Sequence, residues 1–437
     1  MKLKRINQFS LRQDSFLSNS KLSEKSFKKI LNKRNISIYS ANLEGIGLAK
    51  RLQALNFNVR SFIDSRNYKN NTKKGIQVIE PETFWSNSSP KNDFIIIATK
   101  HRKFKKKVLY DAKNHGFDEK NDIAHPLDLC NFFPTIEIAG KCNLFCKTCD
   151  MGLPGANKGK GHMDIKLFEL ILEKLTREIP FINSLALYIW GEPLLNANLN
   201  QMIKICKNYG IATEISTNLN HQKHLEEVID AEPEQIVLPC AGTGKIYERG
   251  RTGGQWEKFY RGCQEIRRMI DEKKKDINVR ITYHLYKDNL DEEYDKVKKI
   301  AESLKYDFIP ILANIFPGKI LDYANGVALP QTMQDASKDL VFDIDEQLEY
   351  ARSISHKSCH ITKVFPAITW NGQVLHCCNM TEPKVGLNFL SHSLNELIEM
   401  RNSSSFCTDC MNLGVHRYHD SNIELLDGKN GRKVNRI

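Results

Sequence analysis

Three cysteines stand close together in KCNLFCKTCD: Cys142, Cys146 and Cys149 form a C-x3-C-x2-C array. Three thiolates at that spacing can hold three irons of a cubane iron–sulfur cluster and leave the fourth iron without a protein ligand. With a fourth ligand they suit zinc instead. An iron left open is a reactive position rather than only an electron relay, so the other residues must decide between chemistry and a structural staple. A second group follows near the C terminus: Cys359, the adjacent pair Cys377 and Cys378, and Cys407 with Cys410 as C-x2-C. Four thiolates there fit one further cluster or a structural zinc, and Cys378 can replace Cys377 in either. Cys130, Cys206, Cys240 and Cys263 stand alone and read as ordinary buried thiols.

The elements that must position the first array alternate strand and helix. PTIEIAG reads as a strand that delivers the cysteine loop, followed by the amphipathic helix MDIKLFELILEKLTRE. The pairs that follow are SLALYIW with NLNQMIKICKNYG, IATEIST with HLEEVIDA, QIVLP with QWEKFYRGCQEIRRMI, and NVRITYHLY with LDEEYDKVKKIAESL; YDFIPIL is a last strand. These six strands and their helices predict a partial parallel (β/α)6 barrel of the TIM type, with reactive groups at the C-terminal ends of its strands. After about Gln331 the alternation stops and the chain reads as irregular.

Upstream lies a separate α/β pattern. ISIYSA, NVRSFIDS, GIQVI and DFIIIAT read as strands, with a helix from Gly45 to Leu55 after the first. A strand, tight turn and helix, then a strand ending in Asp64, outline a Rossmann-like unit. Ser40, Asn42 and Gly45 occupy its G-x-G-x-x-G slots, so close approach of a pyrophosphate is hindered. A scaffold or a small sugar- or nucleotide-recognition module fits better than a dinucleotide site. In IYSANLEGIGLAKRL and FIDS the unit looks like the small Rossmann-type modules attached to sugar-modifying enzymes of surface-polysaccharide pathways. The boundaries that follow are an N-terminal extension over 1–34 containing a short helix in LSEKSFKKILNK, a Rossmann-like domain over 35–130, the barrel over 131–335, and a cysteine-rich region with its tail over 336–437.

With these residues in order, the segment 133–412 resembles the radical S-adenosylmethionine (SAM) enzymes. Three segments at strand ends carry the resemblance beside KCNLFCKTCD. In WGEPLLN, Gly191, Glu192 and Pro193 match a turn whose backbone oxygens meet the amino group of SAM, with Trp190 where a glycine is common. In STN, Ser216 and Asn218 match short polar residues that contact SAM. In VLPCAGTGKIYERGRTGGQWEKF, Tyr247, Arg251 and Gly254 fit, while Pro239 and Ala241 replace the usual Ser and Asp. That departure shifts weight onto Arg251, whose planar fork suits a carboxylate. Thr148 stands where relatives often place an aromatic residue or Met beside the adenine. GQVLHCCN, FCTDC and the intervening helix SLNELIEMRNS resemble the SPASM or twitch auxiliary-cluster domains. The resemblance implies a [4Fe-4S] cluster on Cys142, Cys146 and Cys149 that binds and cleaves SAM. It also implies a second, auxiliary [4Fe-4S] cluster on Cys359, Cys377, Cys407 and Cys410, and an external one-electron reductant such as flavodoxin or ferredoxin.

A formal charge of +12 favours anionic partners. KHRKFKKK, residues 100–107, reads as a solvated helix face, and nothing aromatic interleaves with it to argue for nucleic acid. No apolar run reaches signal-peptide or membrane-span length, which predicts a cytoplasmic protein with reduced cysteines. The expected substrate is a small molecule such as a sugar or nucleotide-linked sugar, with the charge favouring an anionic one. A peptide or protein maturase and a zinc-stapled, non-catalytic binding protein are the alternatives.

Overall fold

The computed structural model describes residues 24–66, 71–99, 102–356, 359–382, 384–386 and 388–418. Among them the chain builds two sheets. The first has the order β3-β4-β2-β1-β5-β6, with β1 Asn35–Tyr39, β2 Val59–Ile63, β3 Thr72–Lys73, β4 Ile76–Ile79, β5 Asp93–Ile97 and β6 Ile123–Ala124. All its pairings are parallel except that of β3 with β4. The apolar runs NISIY and DFIII form its buried centre because helices cover both faces.

The glycine-poor turn of this sheet is filled by its own side chains. Ser40 takes a left-handed φ of 86°, and Asn42 caps the helix Leu43–Ala54 by accepting the Gly45 N–H at 2.8 Å. Asp64 accepts the Ala41 N–H at 2.9 Å and pairs with Arg66 at 2.8 Å. The amides that would face a phosphate are thus engaged within the protein. Gly45 is still required, since a Cβ there would lie 2.1 Å from the Ser40 carbonyl oxygen.

The second sheet has the order β12-β11-β10-β9-β8-β7-β13-β14-β15. Six parallel strands run in chain order: β7 Thr135–Ile136, β8 Ser184–Ala186, β9 Ala212–Ser216, β10 Gln235–Cys240, β11 Asn278–Leu285 and β12 Asp307–Leu312. This is the arc of a partial barrel, with no closing pair between its two edges among the described residues. Strand β11 shows how it is built. Val279, Ile281, Tyr283 and Leu285 are buried under the helices, while Asn278, Arg280, Thr282 and His284 alternate onto the other, concave face. Strands β7 and β8 are shorter than PTIEIAG and SLALYIW predict, because the chain leaves the ladder early to form the loops that carry the site.

The cysteine-rich region does not stand apart from this sheet. Strand β13, Ala367–Ile368, pairs in parallel with β7, and β14, Val374–Leu375, and β15, Lys384–Gly386, continue it in antiparallel fashion. The region is also more helical than its composition suggests, with helices Gln331–Ser337, Ile344–Ser353, Leu394–Ser403 and Ser405–Asn412. Its short amphipathic segments acquire helix through caps such as Asp343 and Ser393.

The first sheet docks beneath the barrel, at the ends where the parallel strands begin. Arg51 donates to the carbonyls of Pro180 at 2.8 Å and Tyr209 at 2.7 Å. Lys50 pairs with Glu234, Lys73 with Asp276, and Lys74 with Glu232. A Cβ on Gly47 would lie 2.3 Å from the Asn183 carbonyl oxygen, so the contact is backbone-close. The helix Glu24–Leu31 joins both layers, its Phe27 ring packing on Phe57, Phe94 and Phe181. Of KHRKFKKK, residues 100 and 101 lie outside the described residues, and the remainder opens the helix Arg102–Asn114. No described helix is long and apolar enough to cross a membrane.

Candidate active site and second cysteine site

The cysteine loop leaves β7 at the strand's C-terminal end and is held by backbone contacts on every side. Asn157 brackets Cys142, accepting its N–H and donating to its carbonyl, each at 3.0 Å. The Phe145 N–H donates to Thr252 O at 2.8 Å, which ties the loop to the segment after β10. Trp370, in the turn between β13 and β14, lies under the loop so closely that a Cβ on Gly140 would meet its ring at 2.1 Å. Burial raises the thiols of Cys142 and Cys149 to about 12, and the neighbouring Cys146 adds to the rise at both. Bare thiols so placed resist ionisation; a metal that supplies positive charge reverses this. Among the described residues no three His, Cys, Asp or Glu side chains converge on one bare ion. A cubane is wider than an ion, and its cysteine ligands stand correspondingly farther apart.

The Gly191–Glu192–Pro193 turn packs directly on this loop. A Cβ on Gly191 would lie 1.8 Å from Ala139 O, and the Glu192 N–H donates to Lys141 O at 2.8 Å. The Glu192 carboxylate is occupied inside the protein, accepting the N–H groups of Leu194 at 3.0 Å and Asn218 at 2.8 Å. Burial raises its pKa to about 7. Its side chain therefore locks the turn to the end of β9 and leaves the turn's backbone to meet a ligand. Asn218 reaches toward Cys142, its Nδ2 3.8 Å from the sulfur and 3.0 Å from Asn143 Oδ1. Ser216 ends β9 on the half-buried side, at the same rim.

Arg251 completes this group. Its Nη1 lies 4.0 Å from the Cys146 sulfur, while its buried Nε and Nη2 have no acceptor in the protein. Tyr247 packs beneath, its hydroxyl accepting from Asn220 at 3.0 Å, and a Cβ on Gly254 would crowd its ring at 3.2 Å.

Polar residues not singled out in the sequence line the concave face below. Glu214 on β9 accepts from Tyr188 and from Gln235, both at 2.5 Å, and Arg280 lies 3.6 Å from the same carboxylate. His284, one residue pair above Thr282, is held neutral by burial and by the Arg251 charge. The period-two run Arg280, Thr282, His284 within an otherwise apolar strand was the available signal. Polar residues on every second position of a central barrel strand point inward.

The second group gathers as well. Cys359, Cys377, Cys407 and Cys410 line one cavity with Arg401, Phe406 and His416. Cys378 is turned the other way: it packs with Trp190 and Met151 in the apolar cluster that also holds Cys142 and Cys149. The adjacent cysteines thus face different sites, and Cys377 is the one that belongs with the second group. Cys130, Cys206, Cys240 and Cys263 are buried thiols outside both groups; burial raises Cys130 and Cys240 to about 12.

No family model and no curated protein sequence matches the chain. Among solved structures it is similar to BtrN in complex with AdoMet and 2-DOIA, at 17% identity and a TM-score of 0.38, over 64% of this chain and 87% of that one. It is similar to native anSMEcpe with bound AdoMet at 15% identity and a TM-score of 0.43, over 63% and 83% of the two chains. It is also similar to SuiB from Streptococcus suis bound to the precursor peptide SuiA, at 15% identity and a TM-score of 0.44, over 72% and 74%.

Proposed function

We propose that this protein is a radical SAM enzyme acting on a small molecule. The observation that carries the reading is Arg251, a half-buried cation beside Cys146 whose two buried donors, Nε and Nη2, have no acceptor in the protein. Leaving such donors unmatched costs about 1–3 kcal/mol each, so a ligand carboxylate is the natural complement. The three thiols, the Gly191 turn pressed on their loop and the Arg251 fork fit a cluster with SAM chelated at its open iron. When bound, the cluster and SAM supply one-electron cleavage of the sulfonium carbon–sulfur bond, giving methionine and a 5′-deoxyadenosyl radical that takes a hydrogen atom from the substrate.

The chain's own residues do the holding. The Arg251 guanidinium orients a carboxylate, the backbone of Gly191, Glu192 and Pro193 faces an amino group, and Ser216 and Asn218 line the rim between them. Tyr188, Glu214, Gln235 and Arg280 close the barrel below, which limits water and gives a substrate hydrogen-bonding partners of both signs. The first sheet, docked under the strand starts, seals that floor rather than reaching the cysteine loop. A sugar, aminosugar or nucleotide-linked sugar therefore finds its recognition in the barrel. Cys359, Cys377, Cys407 and Cys410 hold an auxiliary [4Fe-4S] cluster in this reading, and a flavodoxin or ferredoxin in the cytoplasm delivers the electron.

Anaerobic reconstitution with iron and sulfide, then incubation with SAM and dithionite, tests the reading. The expected result is about eight irons per chain, two cubanes, with 5′-deoxyadenosine formed. Bound zinc with no 5′-deoxyadenosine would establish the non-catalytic alternative instead.

A further inference from the structure

We infer that Arg401 sets the reduction potential of the second cysteine site, making a cluster held there easier to reduce. This rests on reading Cys359, Cys377, Cys407 and Cys410 as cluster ligands. Arg401 lies on the helix Leu394–Ser403, whose start is fixed by a reciprocal capping box between Ser393 and Glu396. The Glu178 carboxylate, from the first barrel helix, also accepts the Leu394 N–H at 2.7 Å. The Arg401 side chain is only 3% exposed, an unusual position for a cation. Its guanidinium carbon sits 5.1 Å from the centre of the Phe365 ring, and it lines the same cavity as the four cysteines.

Four thiolates with their cluster bring negative charge into the cavity that Arg401 lines. The one-electron-reduced cluster carries one more negative charge than the oxidised one. A fixed cation in the same cavity stabilises the reduced form more, through low-dielectric Coulomb attraction. Arg251 differs at the first site. It touches one sulfur at long range and turns its free donors toward the ligand, so it selects SAM, whereas Arg401 faces the metal site itself.

The test uses the full chain carrying C142A, C146A and C149A, so that only the second site binds iron. After reconstitution, the parent and its R401M, R401Q and R401K derivatives are titrated with dithionite at controlled potential and followed by electron paramagnetic resonance. Iron content is measured in parallel. The parent is expected to retain about four irons. R401M and R401Q, both neutral, should lose at least tenfold in the reduced-to-oxidised ratio at fixed potential, a midpoint about 59 mV more negative for one electron. R401K keeps the charge and should lie nearer the parent. An unchanged midpoint in either neutral variant that retains iron overturns the role of Arg401, as does an R401K midpoint equal to theirs. Absence of iron from the parent itself overturns the ligand assignment, which is a separate failure visible before any titration.

Discussion

The two cysteine sites are built on opposite principles. Cys142, Cys146 and Cys149 come from one loop, fixed before any metal arrives by Asn157, Thr252, Trp370 and the Gly191 turn. Cys359, Cys377, Cys407 and Cys410 come from separate segments joined by small strands and short helices. At the first site the nearby arginine keeps donors for a ligand; at the second it lies among the thiols. A preassembled loop with an open side suits chemistry on a bound molecule. Four thiols lining one cavity would suit electron storage, and a metal bound there would double as a structural tie.

The sharpest way to break this contrast is at the first loop. Replacing Cys142, Cys146 or Cys149 by Ala should abolish 5′-deoxyadenosine formation and remove about four of about eight irons per chain, while far-ultraviolet circular dichroism is retained. Replacing Cys407 or Cys410 by Ser should do the reverse. Cleavage of SAM continues, product formation falls, and limited proteolysis should open residues 359–418 while residues 133–312 stay protected. Equal proteolytic sensitivity in both regions would erase the distinction between a preformed and a metal-tied site.

Smaller effects sharpen it. Gly191→Ala places a methyl where Ala139 O lies 1.8 Å away, so it should cost about 3 kcal/mol in denaturant unfolding and weaken SAM binding together. Burial raises the Glu192 carboxyl from 4.5 to about 7 in the folded chain. The folded state then holds a proton that the unfolded chain has released, so stability falls as pH rises between about 4.5 and about 7. Glu192→Gln should flatten that slope in urea melts, although it loses one accepted N–H and lowers stability below pH 4.5. The smallest effect is expected at Cys378. Cys378→Ser should leave the iron content of both sites intact, whereas Cys377→Ser should empty the second; matching losses would show that the pair shares one role.

Much of the first cysteine site was legible because its signals are local. C-x3-C-x2-C and the Gly-Glu-Pro turn sit in the loops that follow β7 and β8, Arg251 closes the short helix Gly244–Gly250 after β10, and parallel strands in chain order bring these segments to one rim. The concave face was harder to see. Glu214, Gln235 and Arg280 lie on β9, β10 and β11 with Tyr188 just beyond β8, and only the packing of these segments makes them neighbours. The second site was legible as a list of cysteines and not as a geometry, since Cys377 and Cys378 are equivalent in sequence.

By itself, then, the sequence determined the strand–helix alternation, the two cysteine groups and the residues that meet at the first rim, because local periodicity and short spacings encode them. Tertiary structure alone decided which adjacent cysteine faces which site, that β13 extends the barrel sheet, and that the first sheet sits beneath the strands instead of beside the cysteine loop. These depend on how distant segments pack, as Arg51 does on the carbonyls of Pro180 and Tyr209. Such contacts join positions more than a hundred residues apart, where no short-range pattern in the chain can carry the information.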